Sequence, residues 1–477
     1  MSRPPSRKRS YTPEPWRIKT VEAIRLLPTD ERLRALGAVG FNVSMLRSDD
    51  VFIDLYTDSG TNAMSDRQWA AMMIGDEAYS GARSFYRLEE AIQRYYGYPH
   101  VIPTHQGRAA ENLISRLLIR SGQHVFGNMY FTTTRLHQEL NGATFHDVVI
   151  PEAHQSSSDH PFKGDVDIDH LRKLIAEFGA EDVAYLSIAA TVNMAGGQPI
   201  SLANLREVRA VADEFGIPII LDAARAVENA WFIQSREEGM AGRSVAEILF
   251  EICSLTDGAV MSAKKDSYAN IGGWLAVRDP DLADRARNLV VVYKGLHTYG
   301  GMAGRDMEAV AQGIEESVDE ANITARIGQV HYLGGRLLDS GVPVTTPIGG
   351  HGVYLDANAI LPHVPEEEFR AQTLAALLYA RAGIRGAERG AVSAGRDANG
   401  ANRFPELELV RLTIPRRAYT QSHMDYVADA VIDLVADAPR YRRGLAFTYE
   451  PDVLRFFQAR FEPLQADAFA GPLTTTQ

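Results

Sequence analysis

The sequence predicts an α/β protein: a mostly parallel sheet with helices on both faces, joined to a smaller α+β domain. Three observations carry this. Apolar runs of strand length lack the polar alternation of a half-exposed strand, so each reads as a strand covered on both faces. Segments with helical spacing fall between these runs, the order that builds a parallel sheet. In the last third, segments such as "GQVHYLGGRLLDSGVPVTTPIGGHGVYLDA" and "LELVRLTIPRR" alternate like half-exposed strands, with helices such as "EEEFRAQTLAALLYARAG" between them. The expected partition is an N-terminal arm and part of the small domain over 1–56, a large domain over 57–320 and a small C-terminal domain over 321–477. A chain of 477 residues accommodates two or three such units.

The elements follow in order. "DVAYLSIAATVN" (182–193) is a covered strand that runs into the glycine loop "MAGGQPIS". "LANLREVRAVADEFG" (202–216) repeats its apolar residues at helical spacing and stops at a glycine, as helices do. "IPIILDAAR" (217–225) is a buried strand ending in a carboxylate, and "DGAVMSAKK" (257–265) another ending in lysines. In open parallel sheets chemistry gathers at the carboxyl ends of the strands. Asn193, Asp222 and Lys265 are therefore expected on one rim. The first ten residues and the last ten or so, including "FAGPLTTTQ", are rich in Pro, Ser, Thr and Arg and read as loose ends.

Composition narrows the function. With 49 basic and 61 acidic residues the net charge is −12, which argues against broad binding to nucleic-acid phosphates. The single cysteine, Cys253, excludes an intramolecular disulfide and points to a reducing compartment, so a cytoplasmic location is expected. No apolar run reaches the roughly 18–20 residues of a membrane span, and none of leader length follows the basic opening. Neither H-x-x-x-H nor H-E-x-x-H occurs, so no zinc site is expected.

A lysine and an aspartate at the ends of two strands, 43 residues apart, suggest a pyridoxal phosphate enzyme. That chemistry needs an amine for the covalent link, an acid to keep the pyridine nitrogen protonated, and donors for the phosphate. Lys265 and Asp222 suit the first two tasks, and Arg225 suits the ring's phenolic oxygen. "PTHQGRAAENLISRLLI" (103–119) opens a helix at Gln106-Gly107-Arg108, where free N–H groups and the helix dipole favour a dianion. Ser262 offers a further hydroxyl.

Longer stretches carry a resemblance. "DLYTDSGTNAMSDRQWAAMMIGDEAYSG" (54–81), "PTHQGR" (103–108), "GNMYFTTTR" (127–135), "TVNMAGGQP" (191–199), "MSAKKD" (261–266), "YGGMAGRDMEA" (299–309), "RLTIPRR" (411–417) and "LRFFQARF" (454–461) are similar to the β-eliminating lyase family. The similarity extends from about Tyr11 to Phe461. It implies a fold-type I pyridoxal phosphate enzyme with a mostly parallel, seven-stranded sheet. It also implies a homotetramer, a dimer of dimers, activated by potassium or ammonium.

Matched motif by motif, Lys265 resembles the lysine that bonds the cofactor and removes the substrate's α-proton, with Lys264 its neighbour in the family pattern. Phe131 resembles the aromatic stacked on the cofactor ring. Arg411, Thr57 and Asn193 resemble the group that binds the substrate carboxylate, a task suited to a guanidinium fork. Tyr79 resembles the proton donor to the departing ring. Tyr299 falls in a matching substrate-site motif. Gly60, Glu77 and Asn270 match the monovalent-cation site, with Glu77 expected from a neighbouring subunit.

One branch of the family releases phenol from tyrosine, the other indole from tryptophan. Thr132 and Arg389 match the pair that reads the phenol oxygen. Phe456-Phe457 stand where the indole branch has a histidine. These positions favour cleavage of L-tyrosine, reversibly, to phenol, pyruvate and ammonia. Two positions depart from the phenol branch, which lines the ring pocket with methionines: here Leu296 and Ala387 stand there. The smaller Ala387 leaves space beside the phenol oxygen, so a 3-substituted tyrosine is a candidate substrate. Tryptophan cleavage, a biosynthetic lyase or synthase acting on an unusual substituted tyrosine, and a cofactor-binding protein without turnover are the alternatives. Product release from tyrosine, its 3-substituted analogues and tryptophan separates them.

Overall fold

A computed structural model of the chain describes residues 13–397, 399–465 and 469. The loose ends expected at the two termini lie outside the described residues, apart from Phe469.

The larger body is built on β1 (His100–Thr104), β2 (His124–Gly127), β3 (Thr144–Asp147), β4 (Val183–Ala189), β5 (Ile219–Asp222), β6 (Gly258–Ser262) and β7 (Gly273–Val277). They form one seven-stranded sheet in the order β1-β7-β6-β5-β4-β2-β3. Only β7 is antiparallel to its neighbours, and the other pairings are parallel. The strands lack polar alternation because both faces are covered. On β5, Ile219 and Leu221 join Phe126, Leu186 and Ile188 in one core, while Ile220 joins Val125, Tyr185, Val260 and Leu275 on the other side. Each such buried side chain contributes about 1.5–3 kcal/mol.

Three helices matter for the site. α1 (Gly107–Leu118) follows β1, and α2 (Thr132–Leu140) follows β2. α3 (Leu202–Phe215) starts at Ser201, which caps the N–H of Asn204, and ends at Gly216 in the left-handed conformation (φ 68°).

The smaller body has a three-stranded antiparallel sheet of β8 (Gly352–Asp356), β9 (Ala387–Arg389) and β10 (Leu409–Thr413), with β10 central. Its helices include α4 (Glu320–Asp339), α5 (Arg370–Ala382) and α6 (Gln421–Asp437). Leu36, Val43, Ile53 and Leu55 from the N-terminal region share its core with Leu374, Leu378, Val410, Leu412 and Val427. Ile53–Asp54 also pairs in parallel with Ile384–Arg385.

Two expected elements differ. The stretch read as half-exposed strand from Gly328 onward is helix as far as Asp339. Its apolar residues fall on one helical face: Ile323 and Ile327 enter the larger core, Val330, Leu333 and Leu337 the smaller one. Gly334 sits against Ile348, where an added Cβ would lie 2.7 Å from Ile348 Cδ1. Gly334 thus serves helix packing. β10 is fully buried rather than half-exposed, because it is the central strand with cover on both faces. Among the described residues, no helix is long and apolar enough to cross a membrane.

Candidate active site

The carboxyl ends of β2, β4, β5 and β6 open into a cavity of about 250 Å³ that the smaller body closes with β9, β10 and Phe456-Phe457. Its lining includes Thr57, Gln106, Gly107, Arg108, Phe131, Asn193, Asp222, Arg225, Ser262, Lys264, Lys265, Arg389, Arg411, Phe456 and Phe457. Register fixes the rim, since Asp222 lies opposite Ala189 on one side and Val260 on the other. Lys264 and Lys265 follow β6 after Ala263, and Asp222 acts on the charge of Lys265.

At one end of the cavity, Gln106 precedes α1 in an extended conformation, and its side chain makes no capping hydrogen bond. The first N–H groups of α1 thus remain donors for a ligand. Ser262 and Gly107 meet closely, a Cβ on residue 107 falling 2.7 Å from Ser262 Cβ. Lys264 crosses Gly60, whose N–H donates to the Lys264 carbonyl at 2.9 Å, and Asn62 donates to the same carbonyl at 2.8 Å. Burial, with Arg108 nearby, lowers the Lys264 amine from its ordinary value. Burial and then Arg225 push the Lys265 amine down to about 8, against the pull of Asp58, Asp222 and Glu111.

Arg225 does not swing free. Its Nη2 donates to Asp58 Oδ1 at 2.6 Å and its Nε to Asp58 Oδ2 at 3.2 Å. Arg416, from the smaller body, donates to Asp58 at 2.8 Å, to Glu228 at 2.6 Å and to Asp266 at 2.8 Å. Arg326 donates to Glu228 at 3.3 Å. The Asp58 carboxyl lies well below its ordinary value: Arg225 and Arg416 outweigh a burial cost that acts the other way.

The opposite end carries the substrate-side groups. Arg411 donates from Nη1 to Asn193 Oδ1 at 3.1 Å and from Nη2 to the Tyr56 carbonyl at 2.8 Å. Burial and the neighbouring Arg389 lower its guanidinium from the ordinary value, which marks a place waiting for an anion. Arg389 donates to the Glu388 carbonyl at 2.9 Å and lies 4.7 Å from the centre of the Phe456 ring. The rings of Phe456 and Phe457 are 4.3 Å apart, and Phe456 stacks on Tyr56 at 5.9 Å. Among the described residues, several polar atoms of this neighbourhood are buried without a protein partner, including Thr132 Oγ1, Thr191 Oγ1, Tyr56 OH, Tyr130 OH, Arg389 Nε and Arg411 Nε. Orphaned polar groups of this kind are costly unless a ligand satisfies them. Together with the uncapped helix, the buried amine and the strand-end carboxylate, they fit a phosphate-bearing aldehyde cofactor and a zwitterionic substrate.

Several expected residues stand apart. Thr132, at the first position of α2, is next to the cavity but not in its lining. Ala387, on β9, is fully buried opposite Arg411 and so on the same sheet face as Arg389 and Arg411, but it does not line the cavity. Leu296 and Tyr299 lie in the loop after helix Pro280–Tyr293 and do not line the cavity. Tyr79 is 73% exposed with its ring 5.6 Å from that of Tyr299, so within one chain it does not enter the site. The reason is local: it belongs to an irregular segment between helices Asp66–Ile74 and Arg83–Tyr96. Asn270 meets Gly60, its amide donating to the Gly60 and Asn62 carbonyls at 3.0 Å each, but Glu77 pairs with Arg305 at 3.0 Å in solvent. Among the described residues no group of His, Cys, Asp and Glu is placed to hold a metal ion.

The lining also holds residues that were not anticipated, among them Tyr56, Tyr130 and Glu111. Glu111 had a signal in the sequence, being a carboxylate four residues after Gly107 on the buried face of an amphipathic helix.

Fold and rim define a class, an α/β enzyme that works with an amine, a carboxylate and an anion cradle at the ends of parallel strands. A sequence profile described as beta-eliminating lyase matches residues 54–430, and the chain belongs to that family. It is 61% identical over 459 residues to a tyrosine phenol-lyase of Nostoc punctiforme, covering 96% of this chain and 98% of that one. It is 60% identical over 455 residues to a tyrosine phenol-lyase of Intrasporangium calvum, covering 95% and 96%. Solved structures share the fold at low identity. Bna3p from Saccharomyces cerevisiae matches with TM-score 0.61 at 14% identity over 85% of this chain and 95% of that one. A serine palmitoyltransferase from S. paucimobilis matches with TM-score 0.55 at 15% identity, covering 81% and 88%.

Proposed function

We propose that this protein is a pyridoxal phosphate-dependent carbon–carbon lyase that splits L-tyrosine, with water, into phenol, pyruvate and ammonia. The observation that carries this reading is the polarity of the cavity. Arg389 lines one end with its Nε unpartnered and Thr132 stands just outside the lining with its hydroxyl unpartnered, both for a ring oxygen, and Arg411 with Asn193 takes a carboxylate. The relatives named tyrosine phenol-lyase support it, and a neutral indole offers Arg389 no oxygen.

The N–H groups at Gln106-Gly107-Arg108, with Ser262 and Lys264, would hold the cofactor phosphate; Phe131 would cover the ring, Asp222 would hold its nitrogen proton, and Arg225 would face its oxygen. When bound, pyridoxal phosphate supplies an aldehyde for amines and a ring that accepts the electron pair of the α-carbon. Lys265 takes the α-proton, since its lowered affinity makes the neutral amine available near neutral pH. Arg411 and Asn193 orient the α-carbon by its carboxylate. Arg389 and Thr132 stabilise the charge that develops on the phenol oxygen while the ring carbon bearing the side chain is protonated. Phe456 and Phe457 keep water from that carbon. The departing three-carbon enamine hydrolyses to pyruvate and ammonia.

The proton donor to the ring is Tyr79 of a neighbouring copy in a homotetramer. An apolar surface supports assembly, with Met73 86% and Ile74 66% exposed next to that tyrosine. A monovalent cation at Gly60 and Asn270, completed by Glu77 of a neighbour, belongs to the same reading. The deciding experiment measures phenol and pyruvate release from tyrosine and tryptophan by the wild type and Arg389→Ala. Tyrosine turnover that falls about 100-fold or more in the variant is expected. Equal turnover of tryptophan by the wild type contradicts the reading.

A further inference from the structure

The cavity contains a buried carboxylate for which the reaction above has no task. Glu111 lies one turn into α1 and lines the same cavity as Asp222. Among the described residues no Lys, Arg or His forms an ion pair with it. Both of its oxygens are instead taken by hydroxyls: Thr133 Oγ1 donates to Oε2 at 2.8 Å and Thr134 Oγ1 to Oε1 at 3.1 Å. The charges that face it are Asp222 from β5, which repels, and Lys265 after β6, which attracts; burial and Asp222 together raise its carboxyl to about 7. A buried carboxylate without a cation is expensive to keep.

What its two partners share is their place. Thr133 and Thr134 are consecutive residues in the first turn of α2, directly after Phe131 and Thr132. Phe131, at the N-cap, makes no side-chain capping bond, and among the described residues no side chain other than Glu111 hydrogen-bonds residues 131–134. Two anchor points on neighbouring residues fix both the position of that turn and its rotation about the helix axis. Loss of either lets the Phe131 ring and the Thr132 hydroxyl shift together.

We propose that Glu111 is a positioning residue: from α1 it holds the Thr133 and Thr134 hydroxyls and so aims Phe131 and Thr132 at the cofactor and the substrate ring. The aim of Thr132 rests on the function proposed above. Arg411 and Asn193, which take the substrate carboxylate, belong to other elements, so substrate affinity is predicted to survive when the turn loosens.

The test compares holoenzyme of the wild type, the double variant Thr133→Val/Thr134→Val, the double variant Thr133→Ser/Thr134→Ser, and Glu111→Gln. Visible circular dichroism of the bound chromophore is read without substrate, and kcat and KM with tyrosine. In the valine pair the visible dichroism is expected to change and kcat to fall about 10–100-fold, with KM held within about 3-fold. Glu111→Gln moves the same way, and the serine pair, which keeps both donors, stays near wild type. The threonine variants carry the test if Glu111→Gln does not fold. Wild-type dichroism and kcat in the valine pair overturn the proposal, as does a loss that serine fails to restore. A fall in thermal midpoint alone also overturns it, because that is what a purely structural bond predicts. If the wild type releases no phenol, the function reading fails, while the substrate-free dichroism still decides the role of Glu111.

Discussion

Lys265 shows how burial turns an ordinary residue into a reagent. The cavity pushes its amine down to about 8, so the neutral form prevails above that pH and the ammonium below it. Capture of added pyridoxal phosphate by the apoprotein, followed as the rise of visible absorbance, is therefore expected to quicken with pH around a midpoint of about 8. A midpoint above 10 would show an amine no different from a solvated lysine. Ala387 makes a second argument at this scale. It shares a sheet face with Arg389 and Arg411 and stands directly beside Arg411 without lining the cavity itself. Ala387→Met adds bulk beside Arg411, on the sheet face of the arginine proposed to read the ring oxygen. Turnover of 3-methyltyrosine relative to tyrosine is expected to fall about 10-fold in the variant, and an unchanged ratio of kcat/KM shows that the position does not sense the ring.

Among the elements, α1 makes the sharpest demand on sequence, because its start must approach β6. Gly107→Ala places a methyl 2.7 Å from Ser262 Cβ and forces helix and strand apart. Pyridoxal phosphate is expected to bind about 10-fold or more weakly, measured by equilibrium dialysis. Elements of this kind were legible from the chain: Asp222 and Lys265 end apolar runs, and Gln106-Gly107 opens an amphipathic helix, so the rim follows from strand ends alone. α4 was not legible. Its glycine pair and β-branched residues imitate a strand, and the helical spacing that contradicts them is split between two cores. The roles of Glu111, Tyr56 and Tyr130 escaped for a different reason. Glu111 depends on Thr133 and Tyr56 on Phe456, partners far along the chain, and although helical spacing marks Glu111 as buried, no local pattern announces such pairs.

At the scale of the whole molecule, one buried ionic cluster joins the bodies: Arg416 and Arg326 from the smaller meet Glu228 and Asp266 of the larger, together with Asp58. Asp58 in turn holds Arg225, so the position of the smaller body bears directly on the cofactor end of the cavity. The residue proposed as proton donor stands outside that arrangement. Tyr79 points to solvent in a single chain, beside the exposed Met73 and Ile74. If it serves the cavity of a neighbouring copy, two variants that are inactive separately must rescue each other. In a mixture of Tyr79→Phe and Arg389→Ala chains, a hybrid pair has one cavity with both native groups and one with neither. Random exchange of subunits then restores about one quarter of the sites. Phenol release near that fraction, appearing only after the two variants are unfolded and refolded together, is the expected outcome. No recovery, with hybrids confirmed by native mass spectrometry, shows that Tyr79 does not serve the cavity of a neighbouring copy.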